Sequence, residues 1–398
     1  MADLSVEFAG IKFKNPVLAA SAEPTLNVKN MRRVIEAGAG GLVAKSVSHD
    51  PALRRVFHKW RILNERHEVA RGKVPRGFTL YGRGNATELT LEEWLPVLKE
   101  SKKIADDAGA VLIGSGDGPA VADWVEQAKR IEDIGIQMME CNFGCPHPGS
   151  EEGHRKTGQI GQDIDFSTEI IRAIKKEVSI PIVVKCSPQV VDLLEIVRAL
   201  REAGAAGVTI SNRFTGFIVD IQTGKPLLSS WAGVGGPWVK PITLRWISQA
   251  HALMPDFPVS GSNGPYDWKD VVEYIMSGAT TVQLCSVLLV KGIDYIKDVV
   301  AGLNTFLDGK GYQNVRDILG MAVKAALPPA EATKVAPVRA RIDEEKCTAC
   351  GNCIRSCMFA AIQSEDERVW VDDKACVGCE MCFSMCPADA ISYVSALV

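Results

Sequence analysis

The chain has 398 residues and a formal charge of −3, and 46% of its residues are hydrophobic against 23% charged. These values indicate an ordinary globular protein with one large and one small domain. They exclude disorder, a collagen-like repeat and the charge balance of a nucleic-acid-binding protein. No window approaches 18 consecutive apolar residues, and residues 1–13 lack a cationic stretch before an apolar core. We therefore expect neither a membrane-spanning helix nor a secretory signal, and a cytoplasmic location.

Eight short apolar, β-branched segments alternate with amphipathic stretches of helical length through the first part of the chain. Several follow a glycine that suits a helix C-terminus, as in EAGAGGLVAKS and EAGAAGVTIS. This alternation predicts right-handed crossovers and a parallel sheet, and eight such units fit an α/β fold of the (β/α)8 TIM-barrel class. An open doubly wound sheet is the alternative. The predicted strands are Pro16–Ser21, Gly41–Val47, Ala110–Gly114, Ile136–Asn142, Ile180–Ser187, Gly207–Asn212, Pro258–Gly261 and Thr281–Val287.

Two stretches are insertions in this alternation of strands and helices. Residues 48–87 follow the second strand and are rich in arginine and histidine, and residues 213–237 follow the sixth strand and contain several glycines. Both insertions lie at the carboxyl ends of strands, where barrel enzymes build their active sites.

Polar side chains close the predicted strands. A lysine at the end of an apolar strand is costly to bury without a partner. Two lysines and two asparagines converging on one barrel mouth favour an anionic, hydrogen-bonding ligand over isolated core ion pairs. These strand-end residues are Ser21, Lys45, Ser115, Asn142, Lys185, Ser187, Asn212, Ser260, Gly261 and Ser286.

The C-terminal segment holds eight of the 12 cysteines in two copies of the spacing C-x2-C-x2-C-x3-C. A linker rich in proline and alanine, 327–340, precedes it, so we predict domains at 1–326 and 341–398. Three thiolates at this spacing wrap one [4Fe–4S] cluster and the fourth reaches the other cluster, whereas the alternative, a zinc site, uses separated CxxC pairs. The segment resembles a bacterial-type ferredoxin with two [4Fe–4S] clusters. The predicted ligands are Cys347, Cys350, Cys353, Cys357, Cys376, Cys379, Cys382 and Cys386.

Together, barrel and cysteine segment resemble the dihydroorotate and dihydropyrimidine dehydrogenase family of FMN enzymes over nearly the whole chain. The motifs that carry the resemblance are NPVLAAS, VAKS, ECNFGCPH, VVKCSP, TISN and VQLCS. It is closest to the pyrimidine-reducing branch, in which such a barrel and two clusters occur together. The resemblance implies that the flavin ring contacts Ala20, Ser21, Lys45, Asn142, Lys185 and Asn212. It also implies that the ribityl chain and phosphate contact Gly236, Gly261, Ser262, Cys285 and Ser286.

By the same resemblance Cys145 is the catalytic candidate, because the family places its proton-transferring cysteine on the loop after strand four. Proline and glycines flank Cys145 in a polar loop, which makes core packing a weak alternative. His147 is a second candidate for assisting it. Cys141, Cys186 and Cys285 sit inside apolar strands, where core packing is the default, although the resemblance assigns Cys285 to the flavin.

Three positions depart from the pyrimidine branch. That branch has an Asn-x-Glu loop where this chain has GRG at 82–84, and a serine where this chain has Gly144. Its Asn-Thr pair after strand six is here Asn212 and Arg213. We predict Asn142, Asn212 and Arg213 as substrate contacts, with the arginine favouring a carboxylate or another anion. The alternative is that Arg213 faces solvent or a phosphate.

No nicotinamide-binding motif accompanies the barrel, since GSGDGP at 114–119 lacks the GxGxxG pattern. Electrons are therefore expected to enter through the clusters, from a partner subunit containing FAD and using NAD(P)H or from a free ferredoxin. From Arg341 onward there are five basic and ten acidic residues, a net charge of −5, which suits a basic partner surface. The sequence is compatible with a homodimer and with a hetero-oligomer.

The predicted function is an FMN- and iron–sulfur-dependent oxidoreductase that reduces or forms a C=C bond of a dihydropyrimidine-like or other conjugated or cyclic substrate. Hydride would pass through N5 of FMN and the proton through Cys145. One alternative is a dihydroorotate dehydrogenase-type enzyme with a carboxylated substrate. The other is a non-catalytic flavin and iron–sulfur subunit for electron transfer.

Overall fold

The computed structural model describes residues 1–54, 58–84, 86–145, 160–332 and 337–395. The contacts within the chain divide it into two units, Met1–Ala325 and Ala326–Val398. Each unit has a hydrophobic core of its own. Across these described residues, no helix is both long and apolar enough to cross a bilayer.

Alternating strands and helices make up the first unit. Its strands are β1 (Val6–Phe8), β2 (Ile11–Phe13), β3 (Val17–Ala19), β4 (Gly41–Val43), β5 (Val47–Ser48), β6 (Lys59–Leu63), β7 (Thr79–Arg83), β8 (Val111–Asp117), β9 (Met139–Asn142), β10 (Ile182–Lys185), β11 (Gly207–Ile210), β12 (Phe214–Gly216), β13 (Val219–Asp220), β14 (Lys225–Pro226), β15 (Ala232–Gly235), β16 (Val259–Gly261) and β17 (Ala279–Leu284). Its α-helices are α1 (Val28–Glu36), α2 (Pro51–Arg54), α3 (Leu91–Asp107), α4 (Val121–Asp133), α5 (Ile164–Glu177), α6 (Leu193–Glu202), α7 (Lys240–Leu253), α8 (Trp268–Met276), α9 (Ser286–Lys291), α10 (Ile296–Lys310) and α11 (Met321–Ala325).

Eight of these strands form a closed parallel barrel. Their order around it is β3, β4, β8, β9, β10, β11, β16 and β17, and β17 pairs with β3 to close the ring. Each overlaps one of the predicted strands, so the TIM barrel is confirmed and the open doubly wound sheet is wrong. Strand β8 runs three residues past its predicted end at Gly114, because Ser115 and Gly116 continue the ladder with β9.

Several of the outer helices begin at side-chain caps and bury one face. Thr90 and Glu93 form a capping box at the start of α3, and Asp163 caps α5 by accepting a hydrogen bond from the amide of Phe166. Helix α5 then buries isoleucines at helical spacing, including Ile170 and Ile174. Caps and spacing of this kind direct each helix back onto the barrel.

The two insertions combine into one small sheet beside the barrel mouth. Strands β6 and β7 come from the first insertion, β12 and β15 from the second, and all four pair in the antiparallel order β12-β15-β7-β6. Gly82 lies opposite Gly233 in this sheet. A Cβ atom on Gly82 would lie 2.4 Å from Trp60, and one on Gly233 would lie 2.6 Å from Arg213. The two glycines therefore make room for this tryptophan and this arginine.

The second unit is a small α+β fold. Its strands β18 (Val338–Ile342) and β21 (Ile391–Ser395) pair antiparallel, as do β19 (Ile362–Glu365) and β20 (Arg368–Val371). Its helices are α12 (Pro329–Ala332), α13 (Asn352–Ser356) and α14 (Met381–Met385). Residues 338–340 belong to strand β18, although the predicted linker included them, because Val338 already pairs with Ser395.

Candidate active site

A deep cleft opens at the carboxyl ends of the barrel strands. It encloses about 950 Å³ of empty space, including the part open to solvent, a size typical of cofactor and substrate sites. Most of the predicted site residues line it together: Ala20, Ser21, Lys45, Asn142, Cys145, Lys185, Asn212, Arg213, Gly236, Ser262, Cys285 and Ser286.

Gly261 is the exception among the predicted contacts, since it does not line this cleft. A Cβ atom at this position would lie 2.2 Å from the ring of Tyr274 in helix α8. The absence of a side chain there lets the helix pack closely against the barrel. The following residue, Ser262, reaches the cleft instead.

Lys45 is held by a carboxylate that sequence reasoning missed. Glu23 Oε1 lies 3.5 Å from Lys45 Nζ and 2.7 Å from His58 Nδ1. Burial raises the pKa of Glu23, but the Lys45 charge and the hydrogen bond with His58 outweigh it and lower that pKa to about 2. Glu23 therefore stays ionised in the cleft. Its only sequence signal was its place two residues after Ser21, at the end of a barrel strand.

The other lysine belongs to a buried network inside the barrel. Lys185 Nζ donates a hydrogen bond to Gln283 Oε1 at 2.9 Å and lies 3.6 Å from Glu140 Oε1. Gln283 and Thr209 in turn donate to Glu140 Oε2, each at 2.7 Å. Such a network supplies the partner that a buried lysine needs.

The two predicted asparagines contact each other across the cleft wall. Asn212 Nδ2 donates to Asn142 Oδ1 at 2.9 Å, and Asn212 Oδ1 accepts from the amide of Arg213 at 2.7 Å. Asn263 Nδ2 donates to the Asn212 carbonyl at 2.8 Å. These bonds fix the direction of both amide side chains, which is what a hydrogen-bonding ligand site requires.

Arg213 enters the cleft under the small sheet. Its guanidinium carbon lies 4.8 Å above the ring of Trp60, and Nη1 donates to the Gly82 carbonyl at 3.1 Å. Burial lowers the pKa of Arg213, and nearby acidic groups including Glu23 act in the opposite direction. The side chain thus faces the cleft instead of open solvent. Trp60 in the first insertion was a second residue that sequence reasoning missed.

Asp117 lines the same cleft and was missed because its strand was predicted to end at Gly114. Its side chain is buried, and burial, followed by repulsion from Asp50, raises its pKa well above the usual range of a carboxyl group. The Oδ1 atom of Asp117 is buried without a hydrogen-bond partner among the described residues.

Cys145 lies at the edge of the cleft and is 7% exposed. The residue before it, Gly144, has no space for a side chain, since a Cβ atom there would lie 2.6 Å from the Cys186 carbonyl oxygen and 2.7 Å from Asn212 Cβ. Any side chain at position 144 would clash with this backbone, which accounts for the glycine here. His147 lies outside the described residues.

The remaining barrel cysteines differ in their surroundings. Cys141 is buried in β9 and Cys186 is buried directly after β10; burial, followed by the charge of Glu140, raises the pKa of Cys186 to about 12. These two are core residues, as expected. Cys285 instead faces the cleft at the end of β17, and burial is the main cause that raises its pKa.

One end of the cleft is built from backbone instead of side chains. Gly236 has a φ of +133°, in the region that favours glycine, and a Cβ atom on it would lie 2.4 Å from the Phe78 carbonyl oxygen. Gly235, Gly236 and Gly264 line the cleft together with Ser262, which follows β16, and Ser286, which follows β17. Exposed peptide groups after the seventh and eighth barrel strands are the usual phosphate site of TIM barrels.

In the second unit, the cysteines surround two cavities in a crossed arrangement. One cavity is lined by Cys376, Cys379, Cys382 and Cys357. The other is lined by Cys347, Cys350, Cys353 and Cys386. Each set contains three cysteines of one run and the last cysteine of the other, which is the ligand pattern of a bacterial two-cluster ferredoxin.

Comparison with known proteins agrees with this geometry. The family model described as dihydroorotate dehydrogenase matches residues 3–307, and the model described as a 4Fe-4S dicluster domain matches residues 340–393. The chain belongs to the dihydroorotate dehydrogenase family. As a member it is an oxidoreductase that binds FMN, and its C-terminal domain carries iron–sulfur clusters.

Its curated relatives carry two kinds of name. The NAD-dependent dihydropyrimidine dehydrogenase subunit PreA of Escherichia coli K12 is 30% identical over 367 residues, covering 89% of this chain and 85% of that protein. The catalytic subunit of dihydroorotate dehydrogenase B (NAD(+)) from Pyrococcus abyssi is 30% identical, covering 81% of this chain and 99% of that protein. The corresponding catalytic subunit from Methanocaldococcus jannaschii is 31% identical, covering 80% of this chain and 98% of that protein.

The residues of the cleft fit FMN. Lys45, Lys185 and Arg213 supply positive charge along the cleft, and the glycine-lined end has the peptide groups that a phosphate requires. The volume of the cleft leaves room for a substrate beside a flavin ring.

Proposed function

We propose that this member of the dihydroorotate dehydrogenase family interconverts a C–C single and double bond in a cyclic, dihydropyrimidine-like or related conjugated substrate. The observation that carries the proposal is the position of Cys145, whose side chain lines the same cleft as Lys45, Lys185 and the asparagine pair. A thiol beside a flavin site is suited to move a proton at the substrate.

The chain's own residues have separable tasks in this proposal. Lys45 and Lys185 hold positive charge at the flavin, and Asn142 and Asn212 orient hydrogen bonds toward the ligands. When bound, FMN supplies hydride exchange with the substrate carbon. Cys145 Sγ gives a proton to the neighbouring carbon during reduction and takes it back during oxidation.

The substitution Cys145→Ser tests this role. We expect the turnover number for the substrate to fall by a factor of about 10² to 10⁴, the usual contribution of a general acid or base. Reduction of the flavin by dithionite should be unchanged, because no proton donor at substrate is needed for it. Stopped-flow measurement of flavin reoxidation by substrate gives the rate.

Cys141→Ser serves as the control, since Cys141 is buried in β9 and does not line the cleft. Its turnover should stay near the parent value. Full turnover in the Cys145 variant would contradict the proposed chemistry. Absence of substrate turnover in the parent chain, with flavin reduction by dithionite intact, would favour the alternative of a non-catalytic electron-transfer subunit, which needs no acid in the cleft.

Arg213 favours a second candidate within the same chemistry, a dihydroorotate-type substrate that carries a carboxylate. Its guanidinium lies in the cleft with one nitrogen, Nη1, on the Gly82 carbonyl. A planar guanidinium binds carboxylates through paired hydrogen bonds. Rates of flavin reoxidation by uracil and by orotate separate the two candidates.

We further propose that electrons enter through the two clusters from another protein. The support is the acidic cluster domain, with five basic and ten acidic residues from Arg341 onward. It fits a partner with a basic surface, either a subunit that carries FAD and uses NAD(P)H or a free ferredoxin.

A further inference from the structure

Glu140 is a buried carboxylate that the proposed chemistry does not use. It is 1% exposed and sits on β9 inside the barrel. Its Oε1 atom lies 3.6 Å from Lys185 Nζ, and its Oε2 atom accepts hydrogen bonds from Thr209 and Gln283. An ionised group in a barrel interior is unfavourable unless it is paired, so its presence calls for a specific partner.

The four residues of this network come from four different strands. Glu140 is on β9, Lys185 at the end of β10, Thr209 on β11 and Gln283 on β17. Lys185 and Gln283 reach the cleft, whereas Glu140 and Thr209 do not line it. Glu140 therefore lies behind the lysine and acts on a cleft ligand only through Lys185 and through its own charge.

The side-chain amide of Gln283 bridges the positive Lys185 and the negative Glu140. Its amide oxygen accepts from Lys185 at 2.9 Å while its amide nitrogen donates to Glu140 at 2.7 Å and to Thr209 at 3.2 Å. The amide is thus oriented between the positive and the negative group. The network holds Lys185 in one place and balances its charge at the same time.

We propose that Glu140 is a positioning and charge-balancing residue for Lys185, and that this pair sets the midpoint potential of the flavin bound in the cleft. The inference rests on the proposed contact between Lys185 and the flavin. A flavin gains negative charge on reduction, so an uncompensated ammonium beside it favours the reduced form. Glu140 offsets part of that effect at a short distance in a medium of low dielectric constant.

Three variants test the opposing effects of Glu140 and Lys185 on the flavin midpoint potential. Glu140→Gln keeps a side chain of the same shape that still accepts hydrogen bonds, but it removes the negative charge, so the flavin midpoint potential should rise. Lys185→Gln removes the positive charge and should lower the potential. The double variant removes both charges and should lie closer to the parent than either single variant, because the two effects oppose each other.

The experiment is an anaerobic redox titration of the full chain with its FMN and clusters, using dithionite and mediator dyes and following the flavin absorbance. Glu177→Gln is the matched control, since Glu177 is an exposed residue that pairs with Lys129 on the surface. It removes the same charge by the same substitution and should leave the flavin potential unchanged. A merely structural role of Glu140 would alter FMN content or melting temperature and leave the potential unchanged.

The outcomes separate the inference from the proposed function. If Lys185→Gln lowers the potential but Glu140→Gln does not raise it, the inference is wrong and the lysine contact stands. If Lys185→Gln leaves the potential unchanged, the flavin contact itself fails. Should Glu140→Gln not retain FMN, Glu140→Asp replaces it: its shorter side chain moves the carboxylate away from Lys185, and a rise in potential is again expected, with no rise overturning the inference.

Discussion

At the scale of single residues, charge is distributed through the cleft as pairs. Lys45 faces Glu23 and Lys185 faces Glu140, so each lysine predicted to contact the flavin has a carboxylate within 4 Å. Arg213 is held differently, by the Trp60 ring and a backbone carbonyl. Its guanidinium lines the cleft, and a guanidinium in that place suits a carboxylated substrate.

Replacing Arg213 by threonine should shift substrate preference toward uncharged rings. Loss of hydrogen bonds between a guanidinium and a carboxylate lowers the affinity for a carboxylated substrate by a factor of about 10 to 100. The measurement mixes reduced enzyme anaerobically with uracil and with orotate and follows flavin reoxidation. Arg83→Thr is the control, because Arg83 bonds the Trp231 carbonyl and does not line the cleft. An unchanged ratio of the two rates in the Arg213 variant would contradict a role in selectivity.

Glu23 should make the stability of the barrel depend on acid pH. Its pKa is lowered from 4.5 to about 2 in the folded chain, because Lys45 and His58 outweigh the effect of burial. A lowered pKa stabilises the fold above the unfolded value and loses this effect as pH falls toward the folded value. The contribution at pH 7 is about 3 kcal/mol, and it falls below half of that by pH 3.

Urea unfolding of the parent and of Glu23→Gln, followed by tryptophan fluorescence between pH 7 and pH 3, measures this difference. The gap in unfolding free energy should narrow as pH falls. The exposed Glu88→Gln controls for the loss of one carboxylate. If the difference in unfolding free energy between the parent and Glu23→Gln stays constant from pH 7 to pH 3, the pairing of Glu23 with Lys45 and His58 is not its cause.

At the scale of elements, the barrel strands were predictable and the contacts between insertions were not. Apolar segments followed by helix-length spacers placed all eight strands, since a parallel strand buried on both faces leaves a local signal. The pairing of Gly82 with Gly233 joins segments about 150 residues apart in sequence, and no local pattern encodes such a partner. Trp60 and His58 were missed for this reason. Lys45, Lys185 and Asn142 were found because they follow directly from strand ends.

The two cysteine runs exchange their last cysteines, and this crossed arrangement can be tested. Cys357 lines the cavity of the second run and Cys386 that of the first. In crossed ligation, Cys357→Ser and Cys376→Ser should lose the same cluster, with iron falling from about eight to about four atoms per chain. Cys386→Ser and Cys347→Ser should lose the other one.

Electron paramagnetic resonance of the reduced variants identifies the cluster that is left. Matching spectra of Cys357→Ser and Cys376→Ser are the expected result. If Cys357→Ser instead matches Cys347→Ser, each run holds its own cluster and the crossed arrangement is wrong. Binding of zinc in place of iron would show directly in metal analysis.

At the scale of the whole molecule, two units divide the work of an oxidoreductase. The barrel unit, Met1–Ala325, holds the flavin cleft, and the unit Ala326–Val398 holds the cysteine cavities. We propose that substrate chemistry and the supply of electrons are encoded in these separate parts of one chain.

The purified chain, loaded with FMN and clusters, should not oxidise NADPH at an appreciable rate when it is alone. Its GSGDGP segment at 114–119 forms part of barrel strand β8 and the turn after it, which leaves it unavailable as a nucleotide loop. Reduced ferredoxin should reduce the flavin, and dithionite provides the positive control. Rapid NADPH oxidation by the chain alone, followed by absorbance under anaerobic conditions, would overturn the proposed electron route.

The small sheet beside the cleft has an evolutionary consequence. Trp60, Leu80 and Gly235 reach the cleft from this sheet, whereas Lys45, Asn142 and Lys185 reach it from the barrel. We propose that mutations in the insertions alter which molecule is accepted while the barrel residues of the cleft stay unchanged. New substrates in this lineage would be acquired by changing the two insertions and keeping the barrel.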